Sequence, residues 1–312
     1  MIRMMNQNSG IFLLDKPAQL SSFQALAPLK RIFRKTKIGH AGTLDPAATG
    51  LLVVGIGSAT RLLEYLEDME KTYTFRAYFG FTSESYDCES SLIPFQNHLL
   101  DQLTAEKIEK ALEAFRGKIQ QAPPNYSAIK IDGERAYDRA RAGEDFSIPK
   151  REVMVYNLRM DAFSASPEDS RPYADFTMTC SKGTYVRSLV HDLGLVLGCG
   201  AVTDLIRRIA IGPYRVEDAQ AYADFRQYPT AEGALPLLQS MESAIEHLPS
   251  ATLNTAEVEH FLKGRPIRFA TDKPIATEFC ALDENGKLVA IATYTTLNEQ
   301  GRLCPTKVLV PH

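Results

Sequence analysis

The stretch at residues 39–52, GHAGTLDPAATGLL, concentrates the residues best placed to do chemistry. One acid, Asp45, stands between a Thr-Leu pair and Pro46, and His40 precedes it by five residues. Gly39, Gly42 and Gly50 supply positive φ or close backbone approach, and Pro46 fixes φ after the acid. The pattern predicts a stiff, non-repetitive loop that projects one carboxylate, after which the apolar run 51–56 returns the chain to the core. Taken one residue at a time, the same letters make a surface turn with a capping aspartate. Taken together, so many backbone restrictions around one acid are costly in a plain connector, and ordered loops are where reactive groups sit. A carboxylate held in this way can act as a nucleophile or as a base.

The elements that must position this loop are legible around it. Residues 11–14 read as a short strand stopped by Asp15-Lys16-Pro17. Ser21 and Ser22 are N-cap candidates for a helix with Phe23, Leu26, Leu29 and Phe33 on its apolar face, and Pro28 should kink or restart it. The run Gly55-Ile56-Gly57-Ser58-Ala59-Thr60 imitates the start of a dinucleotide fingerprint, but Thr60 stands last and no βαβ unit surrounds it. It reads as a turn before a helix at 60–67. Residues 73–79 alternate as a strand. Thr104 caps a helix carrying Ile108, Ala111, Leu112 and Phe115, closed by Gly117. Residues 121–150 are rich in charge, Pro and Gly and read as a long, partly helical excursion anchored by Tyr126, Ile129, Ile131 and Tyr137. Strands are expected at 152–160 and 174–180. A helix follows Gly183 with Val186, Leu189, Val190, Leu193 and Leu197 as its stripe, and Arg187 falls off that stripe. Residues 216–250 read as helical and polar. From about 251 a short helix at 257–262 and a hairpin turning at Glu284-Asn285-Gly286-Lys287 begin a small β-rich unit.

Composition bounds the answer. The chain has 312 residues, 45% hydrophobic and 23% charged, which suits a two-domain soluble protein. No apolar run is long enough for a membrane span, and MIRMMNQNSG lacks the layout of a secretory signal. Five widely spaced cysteines form no C-x-x-C or Cys/His cluster, so neither structural zinc nor a disulfide framework is expected. A reduced, cytoplasmic compartment fits. Net charge is −3, against bulk electrostatic binding of nucleic acid. The charge is uneven, however: residues 30–37, KRIFRKTK, hold five bases and no acid, and residues 64–70, EYLEDME, hold four acids and no base. Each is explained by a solvated helix face. A basic stripe ending just before the acid loop is better explained by an approaching phosphate backbone.

GHAGTLDPAATG resembles the catalytic motif of the TruB family, bacterial tRNA pseudouridine synthases acting on the T-loop uridine at tRNA position 55. Four further stretches match in the same order: GIFLLDKP at 10–17, KTYTF at 71–75, PPNYSAIKIDGERAYDRARAG at 123–143 and CSKGTYVRSLVHDLG at 180–194. The resemblance is strong over residues 10–215 and weak beyond. It implies an α+β pseudouridine synthase fold, a mixed and largely antiparallel sheet flanked by helices. Residues 1–250 would form the catalytic domain, with a thumb loop at about 121–150, and residues 251–312 a PUA-like RNA-binding domain. It also implies a cofactor-free and metal-free isomerase acting as a monomer on the tRNA T-arm.

The resemblance assigns roles. Asp45 takes the place of the catalytic carboxylate. Arg187 resembles the arginine that pairs with it and aims it by fork geometry; without the family, Arg187 reads as a surface salt-bridge residue. Tyr73 and Tyr185 resemble the uridine-pocket tyrosines, Tyr73 stacking on a flipped base; without the family, both are strand core. His40 matches the residue that fills the space of the flipped base, Ile206 the apolar wall, and Asp87 an acid bracing the arginine, although FTSESYDCES departs from the family's pattern there. Three other readings stay open: an RNA chaperone without catalysis, a synthase for another RNA loop, and an unrelated carboxylate enzyme such as a glycosidase. Binding alone does not need an acid beside RNA phosphates, and a glycosidase wants two converging acids.

Overall fold

The computed structural model describes residues 9–95, 98–127, 129–131, 133–144, 146–165, 171–225 and 230–309, with the side chains of His98, Lys130 and Arg135 excepted. Strand β1 (Gly10–Lys16) leads to helices α1 (Ser22–Ala25) and α2 (Ala27–Ile32). Ser21 caps α1 in a reciprocal box with Gln24, and Pro28 sits in the first turn of α2, so the proline restarts the helix. Strands β2 (Ile38–Ala41) and β3 (Thr49–Ile56) bracket the acid loop. The fingerprint-like run closes β3 and forms a 3-10 turn, Gly57–Arg61, before α3 (Leu63–Asp68), shorter and later than the helix expected at 60–67. β4 (Lys71–Phe79) follows. β5 (Phe81–Thr82) pairs with β6 (Ile93–Pro94), and α4 (Ala105–Leu112) is capped by Thr104.

β7 (Gly117–Gln121) opens the charged excursion. Within the excursion lie a small hairpin, β8 (Lys130–Ile131) with β9 (Glu134–Arg135), and α5 (Ala136–Arg141). Asp132 and Asp145, two of its acids, lie outside the described residues. Then come β10 (Arg151–Ser164), β11 (Tyr173–Cys180), α6 (Val186–Val196), β12 (Ala201–Ile211), β13 (Tyr214–Arg215) and β14 (Gln220–Ala221). Ten strands make one mixed sheet along β14-β1-β3-β12-β4-β11-β10-β7, with β2 on β3 and β13 on β12. All pairings are antiparallel except β1–β14 and β3–β12. The β3–β12 pairing spans only Arg207↔Thr49 and Arg208↔Gly50.

One face of β4, β10 and β11 packs Phe75, Phe79, Leu158, Phe176 and Met178 against Leu189, Val190 and Leu193 of α6. Each such side chain contributes about 1.5–3 kcal/mol by burial. β3 is covered on both faces. Leu52, Val54 and Ile56 meet α1 and α2, whereas Leu51 and Val53 meet Leu62, Leu63 and Leu66. Residues 216–250 differ from the polar helical stretch expected. Among the described residues they form β14, the short α7 (Tyr222–Phe225), α8 (Ala231–Ala234) and 3-10 turns, and Phe225, Ala234, Ala244 and Ile245 enter the core.

A second sheet runs β15 (Ser250–Thr252), β17 (Glu278–Leu282), β18 (Leu288–Leu297), β19 (Gln300–Val308) and β16 (Ile267–Arg268), with α9 (Thr255–Leu262) packed on it. Asp283 closes the 283–287 turn by accepting from the backbone N–H groups of Asn285 and Lys287. Cys280, Leu288, Ile291 and Leu309 join the first sheet's core, so the two sheets share a packed boundary.

Candidate active site

The acid loop is held from below by residues far apart in sequence. Ser22 Oγ accepts from Leu44 N–H at 2.9 Å and donates back to Leu44 O at 3.1 Å. The Gln19 N–H donates to Pro46 O at 2.9 Å. Lys16, wholly buried, spends its ammonium on the carbonyls of Pro17, Leu20 and Pro46, the last at 3.1 Å. Arg208, 1% exposed, donates Nε to Leu51 O at 2.8 Å and Nη2 to Gly42 O at 3.1 Å, joining the two flanks of the loop. Gly42 and Gly50 take positive φ, 76° and 100°. Asp45 is therefore displayed on a rigid frame.

Facing it, α6 brings Arg187 to the cleft. Its Nη2 lies 2.8 Å from Asp45 Oδ2 and also donates to Tyr126 O at 2.9 Å. Nη1 donates to Ser85 O at 2.9 Å and stands 3.4 Å from Asp87 Oδ2. Burial of this side chain corrects its placement off the buried stripe: Arg187 is interior, and four partners balance its desolvation. Asp87 is itself fixed, its Oδ1 accepting from Ser85 Oγ and from Glu89 N–H. The excursion is tied to the same helix, because Tyr126 O takes Arg187 and Ala122 O takes Ser188 Oγ at 2.7 Å.

Between these walls lies a cleft of about 690 Å³ lined by Asp45, Tyr73, Tyr185, Arg187 and Ile206, together with Lys71, Arg151 and Arg208. Tyr73 and Ile206 come from the adjacent strands β4 and β12, where Tyr73 pairs with Arg208 and Phe75 with Ile206. Burial pushes the Tyr73 phenol up, and the Arg208 guanidinium opposes that shift. Tyr185 caps α6, its backbone exchanging two hydrogen bonds with the Gln121 amide, and the Arg151 guanidinium stands 5.1 Å from its ring. Two expected residues do not line the cleft. Asp87 stands behind Arg187. His40, on β2 opposite Val54, is half-buried, and its imidazole is pushed down by burial and by Arg208 and Lys30.

Sequence reasoning missed three buried cations around the acid, Lys16, Lys71 and Arg208. Burial pushes both lysines down to about 8, although Asp45 counteracts it at Lys16. Lys71 Nζ donates to the carbonyls of Leu66, Glu67 and Met69. Lys16 and Lys71 stood within matched motifs, so a signal existed; Arg208 in DLIRR gave none beyond its neighbour Ile206.

Solved structures share this architecture. A chain of an H/ACA RNP bound to a substrate RNA containing 2'-deoxyuridine aligns with TM-score 0.72 at 23% identity, covering 100% of this chain and 88% of that one. A chain of a Cbf5-Nop10-Gar1 complex aligns with TM-score 0.71 at 24% identity, covering 100% and 88%. The mixed sheet, the helices on it and the separate PUA-like sheet define the class, the pseudouridine synthase fold. Family models refine this. Residues 30–186 match the TruB family pseudouridylate synthase (N terminal domain), and residues 187–246 the tRNA pseudouridylate synthase B C-terminal domain. The tRNA pseudouridine synthase B of Pseudomonas aeruginosa (strain UCBPP-PA14) is 36% identical over 304 residues, 96% of each chain. That of Escherichia coli O1:K1 / APEC is 32% identical over 313 residues, 97% of this chain and 96% of that one. The chain belongs to the TruB family of pseudouridylate synthases.

Proposed function

We propose that this chain isomerises uridine to pseudouridine in the T-loop of tRNA, at position 55, with Asp45 as the catalytic carboxylate. The observation that carries the reading is the Asp45–Arg187 pair at 2.8 Å, set in a cleft walled by Tyr73 and Ile206. The reaction breaks the N1–C1′ bond, turns the base and joins C5 to C1′; the C5 proton leaves and N1 takes one up. Nothing is oxidised or reduced, so no redox cofactor is called for. Asp45 acts at the sugar or the ring of a base flipped from the RNA stack. Tyr73 stacks on that base with its hydroxyl near the C5 proton, Ile206 and Tyr185 complete the apolar walls, and Asp87 braces Arg187. His40 fills the space the base vacates. The reading divides the chain into a catalytic unit at 1–250, with its thumb at 121–150, and an RNA-binding unit at 251–312. It places a monomer in the cytoplasm, and the five free cysteines fit a reduced compartment.

The test uses a T-arm hairpin carrying tritium at uridine C5, with released tritium as the readout. Wild type releases tritium stoichiometrically with pseudouridine. Asp45→Asn binds the hairpin within a few-fold of wild type and releases none. Turnover of the variant at more than a few per cent of the normal rate removes Asp45 from the role.

A further inference from the structure

Phe23 is anomalous. It was expected on the apolar face of its helix, yet 70% of it is exposed, the most open large hydrophobic side chain among the described residues. Leaving a phenylalanine in water forgoes about 1.5–3 kcal/mol of burial, and single exposed apolar residues are common. Three observations set this one apart. First, Lys30 Nζ lies 3.4 Å from the ring centroid, so the ring carries a cation on one face and offers the rest to solvent. Second, Lys30 begins the basic run. Arg31, Arg34, Lys35 and Lys37 are all exposed, and none of the five bases has a carboxylate within 4.0 Å among the described residues. Third, the ring is rigidly coupled to the acid loop, because the neighbouring Ser22 makes both hydrogen bonds to Leu44, next to Asp45. Lys30 also lies near enough to His40 to help push its imidazole down.

From this geometry we infer that Phe23, with Lys30 behind it, is a stacking platform for an unpaired nucleobase of the substrate RNA, beside the base taken into the cleft. The inference rests on the proposed function, since it needs RNA at this loop. The chemistry is that of single-strand recognition: an aromatic face for any base, inside a cationic track that follows the phosphates. A protein partner fits less well, because the surroundings are cationic and offer one ring in place of an apolar patch.

The chain has no tryptophan, so Phe23→Trp places a single reporter on the surface. Its emission is expected to be quenched on adding an unmodified T-arm hairpin and to stay unchanged with a fully paired duplex of the same stem. Phe23→Ala and Phe23→Leu should both weaken hairpin binding by about tenfold, Leu no better than Ala because it lacks a π-face, while Phe23→Tyr keeps wild-type affinity. All four should melt with wild type. Wild-type affinity in Phe23→Ala, or quenching by the duplex equal to that by the hairpin, overturns the platform while leaving the catalytic reading intact. Failure of wild type itself to bind the hairpin overturns both. Recovery of affinity in Phe23→Leu assigns the site to apolar contact alone and also overturns it.

Discussion

Arg187 and Asp45 meet at 2.8 Å, but from opposite environments: the arginine side chain is 5% exposed and the aspartate 41%. Arg187 is fixed from behind by Ser85 O, Tyr126 O and Asp87, and only its contact with Asp45 reaches the cleft. On the acid, Oδ2 takes the arginine and Oδ1 has no partner among the described residues. One oxygen is thus a handle and the other is left uncommitted in a residue that lines the cleft. Attraction between unit charges about 4 Å apart near a protein surface is of order 4 kcal/mol. Asp87 supplies part of the compensation Arg187 needs, so the arginine should keep its place when Asp45 is neutralised.

That arrangement separates fork from charge. Arg187→Lys keeps the positive charge but cannot reach Asp45, Asp87, Ser85 O and Tyr126 O together. Turnover of the T-arm hairpin is expected to fall at least about a hundredfold, with loss of stability on the order of 2–4 kcal/mol from carbonyls left without donors. Single-turnover kinetics and urea denaturation measure the two effects. Near-normal turnover would make Arg187 a structural residue only.

Much of this site was legible because each motif pairs a chemical residue with the residues that fix its backbone. The Asp45 loop announced itself through Gly42, Gly50 and Pro46, and the α6 stripe through Val186, Leu189, Val190 and Leu193. What escaped was set by tertiary contact. Arg187 reads as surface because an arginine beside an apolar stripe normally is, and only the approach of Ser85, Tyr126 and Asp87 from distant strands and loops lets it be buried. β12, central to the sheet, shows no clean alternation, since Thr203 and Arg208 are buried while Leu205 is exposed. Residues 216–250 scatter single anchors such as Phe225 and Ile245 over short turns, which leaves no period to read.

Gly50 tests how tightly the loop is seated. At φ +100°, a Cβ there would stand 2.3 Å from Arg208 O and 2.8 Å from Arg208 N on the adjoining strand. Gly50→Ala therefore combines left-handed strain with a backbone clash at the short β3–β12 junction. A loss on the order of 3 kcal/mol or more is expected by chemical denaturation, together with loss of activity in whatever folds. Gly133→Ala is the control, with φ +91° and, among the described residues beyond its chain neighbours, no atom within 4 Å of its Cβ; it should cost on the order of 1 kcal/mol. Equal costs would show that β12 yields to the added methyl.

Lys16 gives a pH dependence of definite sign. Burial lowers its ammonium from 10.5 to about 8. Below pH 8 folded and unfolded chains both carry the proton, and the folded state bears the full penalty. Between about 8 and 10.5 the unfolded chain binds more protons, so this group makes stability rise with pH. Lys16→Met removes the term. The stability of wild type minus that of the variant should therefore grow by roughly 3 kcal/mol from pH 8 to 10.5, read by urea denaturation at several pH values. Using the difference cancels the opposing desolvated thiols, which are raised to about 11 and lose their contribution as pH climbs from 9. A flat difference would mean that Lys16 titrates alike in both states.

A chain of net charge −3 meets a polyanion at a disadvantage. Overall charge cannot supply affinity, so local bases must, and Arg31, Arg34, Lys35 and Lys37 are exposed on and after α2, beside the acid loop. In the charged excursion Arg139 is paired with Glu144 at 2.7 Å, Arg141 lies 5.5 Å from the Tyr137 ring centroid, and the side chains of Lys130 and Arg135 lie outside the described residues. Each phosphate neutralised adds about 0.7–0.9 to the salt slope. Arg34→Glu with Lys37→Glu should weaken binding to the T-arm hairpin and to unrelated hairpins alike, and flatten the salt dependence by about two contacts' worth. Preference for a folded T-loop over an unstructured strand should persist, because loop shape and the flipped base carry it. Binding measured from low to moderate salt decides the matter. A double variant with wild-type affinity and an unchanged slope would make the run a solvated helix face, and the RNA path would then have to follow the thumb and the second sheet.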